Sequence, residues 1–205
     1  ESEWKKDIEQ ALQSLPQSKN IHFYFNPVSQ HVRNMCWSQG DWRFYRHYRE
    51  WQKRTYEIAK GIIAENKIDV IHQLNMIGFR EPGYLWKIKD IPFVWGPIGN
   101  MAPIPLEFLE GCTTKDKLKL CMKNFISYWQ ARSGRVSKAI RRADKLITVL
   151  KSTSDIIKSN YGIDDVTVMP ETGLKVTQRV VHEIPAERPL KLLWVGRFIP
   201  TKKLD

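Results

Sequence analysis

The sequence is short of the features that would make a membrane span, a metal site or a disulfide scaffold. No apolar run approaches the ~18–20 residues that cross a bilayer. Three cysteines occur, Cys36, Cys112 and Cys121, far apart and without a C-x-x-C pair. That spacing fits neither a zinc site nor a disulfide framework, and a reducing cytosol is the simplest setting for it. There is no G-x-x-x-x-G-K-[ST] phosphate loop, no G-x-G-x-x-G fingerprint and no His- or carboxylate-rich cluster at metal spacing. Internal repeats and low-complexity segments are missing too. Acidic residues are the minority charge: 22 Asp and Glu against 33 Lys and Arg give a net +11. A protein so basic is suited to polyanions such as nucleic acid, anionic lipid or phosphorylated ligands, unless the charge serves only as a solubilising surface.

What is present is the composition of a globular protein. The 205 residues are 42% hydrophobic and 27% charged, enough for one good core and a little more. The opening stretch, ESEWKKDIEQ, is charged, lacks Met and does not read as a signal peptide, so a trimmed start is expected.

Hydrophobic periodicity alternates along the chain. WKKDIEQALQSL reads as a short helix with Trp4, Ile8, Ala11 and Leu12 on one face. Ile21–Phe25 reads as a strand ended by Asn26-Pro27, Val28–Trp42 as a loop and Arg43–Asn66 as a long helix. Further strands are expected at Asp69–Leu74, Pro92–Gly96, Lys145–Leu150 and VTVMP, with a last one at LKLLWV. Between them fall a short helix after Pro82, a long basic helix over Lys115–Arg142, and a helix in STSDIIKSNY stopped by Gly162. Val181–Pro189, polar and proline-punctuated, reads as a linker. Strand and helix in alternation imply crossovers: an α/β, Rossmann-like parallel sheet with helices on both faces.

In such a sheet ligands bind beyond the carboxyl ends of the strands. Those ends carry Asn26-Pro27, His72-Gln73-Leu74-Asn75, Gly96-Pro97-Ile98-Gly99, Leu150-Lys151-Ser152-Thr153 and Pro170-Glu171-Thr172-Gly173. In WGPIGN two glycines let backbone approach a ligand closely; the same pattern also serves as a plain tight turn. His72 has two readings as well, a hydrogen-bonded histidine near the core or a site residue. The polar Gln73 and Asn75 beside it favour the site. GRFIPTK offers a turn, an arginine and a lysine that together can neutralise a diphosphate. The Lys115–Arg142 helix mixes apolar and aromatic residues with Lys and Arg. It suits either an anionic membrane surface or an outer position on the sheet with a solvated basic face.

Taken together, these segments resemble the group 1 glycosyltransferases, family 4, which have the two-domain GT-B fold. DVIHQLN, FREPGYLW and IPFVWGPIGN look like the N-domain pattern of the W-G-P-[IV]-G-G subgroup, with its D-x-V-H-H, R-x-P and W-G-P elements. ADKLITVLKSTSDIIK is similar to the segment before the domain crossover. LKLLWVGRFIPTKKLD resembles the first C-domain strand and its G-R-x-x-x-x-K-G-x-D turn. The similarity runs in order over most of Ile21–Asp205. Three residues depart from the subgroup: Gln73 for a second His, Asn100 for a third Gly, and Lys203 for the Gly after the motif lysine.

The resemblance implies a fragment: residues 1–185 as an N-domain lacking its first strand, and 186–205 as linker and first strand of a truncated C-domain. The edge left by the missing strand invites self-association. For the parent protein the resemblance implies a retaining hexosyl transfer from a nucleotide-sugar to a glycan or lipid-linked acceptor, in bacterial cell-surface polysaccharide synthesis. That work would be done in the cytoplasm or at the inner membrane face, with no cofactor and no metal, and with the fragment itself inactive. Arg197 and Lys202 would bind the donor diphosphate. His72, Asn75, Arg80, Gly96, Pro97, Gly99 and Glu171 would line the acceptor side of the cleft. The catalytic residues are not identified. A different class of function also fits: a non-enzymatic basic Rossmann-like module on anionic lipid or nucleic acid. Trp37, Trp42 and Tyr45 offer base-stacking rings for it, but no nucleic-acid motif is present, and nucleic acid is not an expected partner of the enzyme.

Overall fold

The computed structural model describes residues 2–37, 43–74, 76, 78–171 and 173. The chain divides into two compact units, Glu1–Lys67 and Ile68–Asp205. The linker, the final strand and the boundary expected near residue 185 lie outside the described residues.

The first unit is helical. It holds α1 (Ser2–Ser14), α2 (Gln30–Trp37) and α3 (Arg43–Glu65). Two expectations fail here. Ile21–Phe25 forms no strand, and all five of its residues are exposed. A strand is held by backbone pairing, and no described segment pairs with this one; it is tethered through Asn26 instead. The Asn26 amide donates to the Trp51 carbonyl at 3.1 Å and to Thr55 Oγ1 at 2.8 Å, while Trp51 Nε1 donates to the Asn26 carbonyl at 2.7 Å. The expected loop after Val28 contains α2. Its start is marked by Ser29, whose Oγ accepts from the Val32 amide at 3.4 Å, the N-cap arrangement. Along α3, Phe44, Tyr48 and Trp51 stack at 5.6 and 5.9 Å, the i, i+4, i+7 spacing of one helix face.

The second unit is an α/β layer of Rossmann-like character. Its sheet has four parallel strands in chain order: β1 (Ile71–Gln73), β2 (Phe93–Ile98), β3 (Lys145–Thr148) and β4 (Val166–Val168). Helices α4 (Thr114–Ala131), α5 (Gly134–Arg142) and α6 (Lys151–Tyr161) flank it. Alternation along the strands sends Ile71, Gln73, Phe93, Trp95, Leu146 and Thr148 to one buried face. Ile140 and Ile157, fully buried on α5 and α6, belong to the same core.

The single basic helix expected over Lys115–Arg142 is two helices. Ser133 interrupts it: its Oγ accepts from the Val136 amide and caps α5. Ser133-Gly134 is the breaker that the length of the apolar pattern concealed. The short helix after Pro82 is one 3-10 turn, Leu85–Lys87. Gly162 ends α6 as expected, in the left-handed conformation with φ +68°.

Two polar clamps fix the edges of the layer. At the amino end, Arg142 donates to the carbonyls of Ile88, Lys89 and Ile91 and to Asp144 at 2.7 Å. Asp144 in turn accepts from the Phe93 amide at 2.7 Å. That backbone bond first, and Arg142 second, hold the Asp144 carboxyl below the ordinary aspartate range. Toward the helices, buried Glu81 pairs with Arg135 of α5 at 2.7 Å. Arg80 donates to Gln130 and Ser127 of α4, each at 2.6 Å. The segment FREPG is thus an anchor: Phe79 and Pro82 fill the core while the two charged residues between them grip two helices.

Candidate functional site

The carboxyl edge of the sheet is built around the turn that ends β2. Gly96 has φ +144°, and a Cβ there would lie 2.2 Å from the Ile147 carbonyl oxygen and 2.7 Å from its Cβ. Only glycine fits so close to β3. The register between β2 and β3 shifts between Trp95 and Ile98, as glycine-containing bulges do. The Gly96–Pro97 peptide is cis. Beyond the bulge the Val149 amide donates to the Ile98 carbonyl at 2.9 Å, and Gly99 bridges Gly78 in parallel. Loops from three strands therefore meet at this turn.

Asn100, next in line, has φ +61°. Asparagine is among the few non-glycine residues that tolerate this left-handed region. The departure from a third glycine is thus compatible with an unchanged backbone.

His72 lies across the turn. Its Nε2 is 3.0 Å from the Gly96 carbonyl oxygen. A carbonyl can only accept, so Nε2 is the donor in this contact, and in the tautomer that this leaves for a neutral ring Nδ1 is the acceptor. The residue is exposed, so that lone pair is within reach of a hydroxyl-bearing ligand. Gln73 does not join it. Strand alternation turns Gln73 to the buried face, where its Oε1 has no hydrogen-bond partner among the described residues. Thr148 Oγ1 and Thr153 Oγ1 are buried without partners in the same sense.

The structure therefore gathers His72, Gly96, Pro97 and Gly99 at one place. Arg80 is drawn off to α4 by its bonds to Ser127 and Gln130. Glu171 is exposed beyond the end of β4, at the opposite edge of the sheet from β1. Asn75, Arg197 and Lys202 lie outside the described residues. No group of His, Cys, Asp or Glu suited to a metal ion occurs among the described residues, and no described helix is long and apolar enough to cross a membrane.

Sequence reasoning missed one concavity. A cavity of about 200 Å³ lies between α4, α6 and the stretch after the turn, lined among others by Met101, Asn124, Ser127, Arg132 and Asn160. Asn124 closes it on one side by bonding both the amide and the carbonyl of Ile104, at 3.0 and 2.9 Å. Arg132 closes it on another, stacked on Tyr128 at 3.6 Å and donating to Asn160. The available signal was the spacing of Asn124, Tyr128 and Arg132, four residues apart on one helix face.

The fold and this edge define an α/β protein with a Rossmann-like parallel sheet and a tight, glycine-dependent turn at the carboxyl end of its second strand. Compared with family models, with curated proteins and with solved structures, the chain matches none.

Proposed function

We propose that this chain supplies the acceptor-side domain of a retaining GT-B glycosyltransferase, one that moves a sugar from a nucleotide-sugar donor to a glycan or lipid-linked acceptor in cell-surface polysaccharide synthesis. The observation that carries the reading is the Gly96–Asn100 turn. The resemblance to the W-G-P-[IV]-G-G subgroup demands a backbone at positions 96 and 100 that glycine normally supplies. The turn has φ +144° at Gly96 and φ +61° at Asn100, which supports a shared local conformation despite the substitution.

In this reading His72 holds the turn through Nε2 and offers Nδ1 to an acceptor hydroxyl. The absence of any side chain at Gly96 lets β3 and the turn close on each other and keeps the edge narrow. As the sugar leaves, negative charge grows on the diphosphate, and Arg197 and Lys202 would neutralise it. Arg can bond two phosphate oxygens at once, and Lys acts as a compact point charge.

The test is transfer from labelled nucleotide-sugars by the product of the complete open reading frame, using lipid and glycan fractions as acceptors. Transfer is expected, with Arg197→Ala lowering kcat by about 10²–10³, the usual cost of one preorganised charge-stabilising group. Lys203→Ala should do far less. A folded product that neither transfers nor hydrolyses any nucleotide-sugar overturns the reading.

A further inference from the structure

Helix α4 is packed the wrong way round for an ordinary surface helix. Its inner face is small and partly polar: Leu120, Ser127 and Ala131 are the buried residues. Its outer face carries the large apolar side chains. Leu118 is 70% exposed, Met122 56%, Phe125 64% and Trp129 59%. At ~100° per residue these four form one stripe, roughly opposite the buried face. Ile126 and Tyr128, also exposed, widen it. Phe125 and Trp129 meet edge to face at 6.2 Å, and Tyr128 and Trp129 at 5.9 Å, so the aromatic end is contiguous. Exposed single apolar residues are common; a continuous aromatic and aliphatic stripe marks a binding surface.

Charge identifies the occupant. Lys115, Lys119 and Lys123, all exposed, follow one margin of the stripe, and exposed Lys117 and Arg132 the other. A second copy meeting this face by two-fold symmetry would bring like charges together, which opposes pairing. An anionic bilayer surface satisfies both parts: apolar side chains enter the acyl boundary while lysines reach the headgroups. Trp and Tyr favour that boundary because one end of each is apolar and the other polar.

The geometry points to α4 as an interfacial helix that docks the protein on anionic membrane. The docking does not depend on the sugar-transfer reading.

The experiment is co-sedimentation of the purified chain with neutral phosphatidylcholine vesicles and with vesicles containing phosphatidylglycerol. Binding is expected to the anionic vesicles alone, weakening as salt screens the lysines. Two variants should each reduce it by about tenfold or more, Phe125→Ser/Trp129→Ser through the apolar part and Lys119→Glu/Lys123→Glu through the electrostatic part. Phe23→Ser/Tyr24→Ser, which removes exposed aromatics elsewhere, should leave it unchanged. All four side chains in the two α4 variants are exposed, so circular dichroism should show unaltered helix content. Equal binding to neutral vesicles, no vesicle binding, or full binding by either α4 variant overturns the proposal. So does a wild-type dimer in light scattering that Phe125→Ser/Trp129→Ser converts to monomer while vesicle binding persists, since the stripe is then a contact between copies.

Discussion

The two units use their apolar residues in opposite ways. In Ile68–Asp205 the sheet buries Phe79, Phe93, Ile98, Leu146, Ile140 and Ile157 almost completely. In Glu1–Lys67 no hydrophobic side chain is buried among the described residues, and the buried residue there is the polar Gln52, whose amide donates to the Tyr48 hydroxyl at 2.6 Å. Both units have amphipathic helices. The difference is the sheet, which gives helices a wide flat surface to cover; without one, α3 stacks its rings along its own face and is tied to the preceding segment by the hydrogen bonds of Asn26. An apolar residue stabilises a fold in proportion to the area it removes from water. A short apolar run is therefore a core element in one unit and a tethered, exposed segment in the other.

The contrast makes graded predictions. Phe93→Ala, at a fully buried position, should cost about 3–5 kcal/mol in urea unfolding, whereas Phe23→Ala should stay within about 0.5 kcal/mol. Equal losses would dissolve the distinction between the units. Glu81→Ala leaves Arg135 without its carboxylate. Full burial of such a pair would put the cost at about 3–5 kcal/mol, but Arg135 is 30% exposed, so about 2 kcal/mol is expected. Its signature should be loss of hydrogen-exchange protection in α5. In the first unit Asn26→Ala should cost only about 1 kcal/mol. Exchange at Trp51 and over residues 21–25 should rise while β1–β4 stay protected; a rise across the sheet would contradict the division into units.

The smallest effect concerns pH. The folded Asp144 carboxyl has its pKa lowered, so its contribution to stability is complete above the unfolded aspartate value, about 3.9, and is lost as pH falls through the lower folded value. The side chain is 55% exposed, and solvent screening keeps the contribution under about 1 kcal/mol. Asp144→Asn should therefore be slightly less stable than the wild type at pH 6, with the gap closing toward pH 2. A constant gap would mean that the charge of Asp144 does not matter.

Several elements were legible in the residues themselves. Strands β1 to β4 announce themselves as short apolar runs followed by polar or glycine-bearing ends, and their parallel pairing follows from the crossover segments between them. Gly162 as a helix stop follows from backbone freedom alone, because few other residues reach that conformation as easily; WGPIGN reads as a turn or a ligand approach, and the neighbour that Gly96 admits is β3. These are local properties, and local sequence carries them.

Other features depended on partners distant in the chain. Ile21–Phe25 has the composition of a strand, but strand formation needs a neighbouring backbone, and Asn26 found Trp51 and Thr55 instead. Arg80 falls in a segment that resembles a cleft motif, and Ser127 and Gln130, about fifty positions on, hold its guanidinium. The outward face of α4 could not be assigned from its periodicity, since both faces hold apolar residues. Which face met the protein was decided by packing: the small Ser127 and Ala131 let α4 approach closely, and that left Leu118, Met122, Phe125 and Trp129 pointing away. Sequence determined the elements and the backbone-limited turn; tertiary structure decided which side chains those elements kept and which they offered, because burial is a property of neighbours rather than of residues.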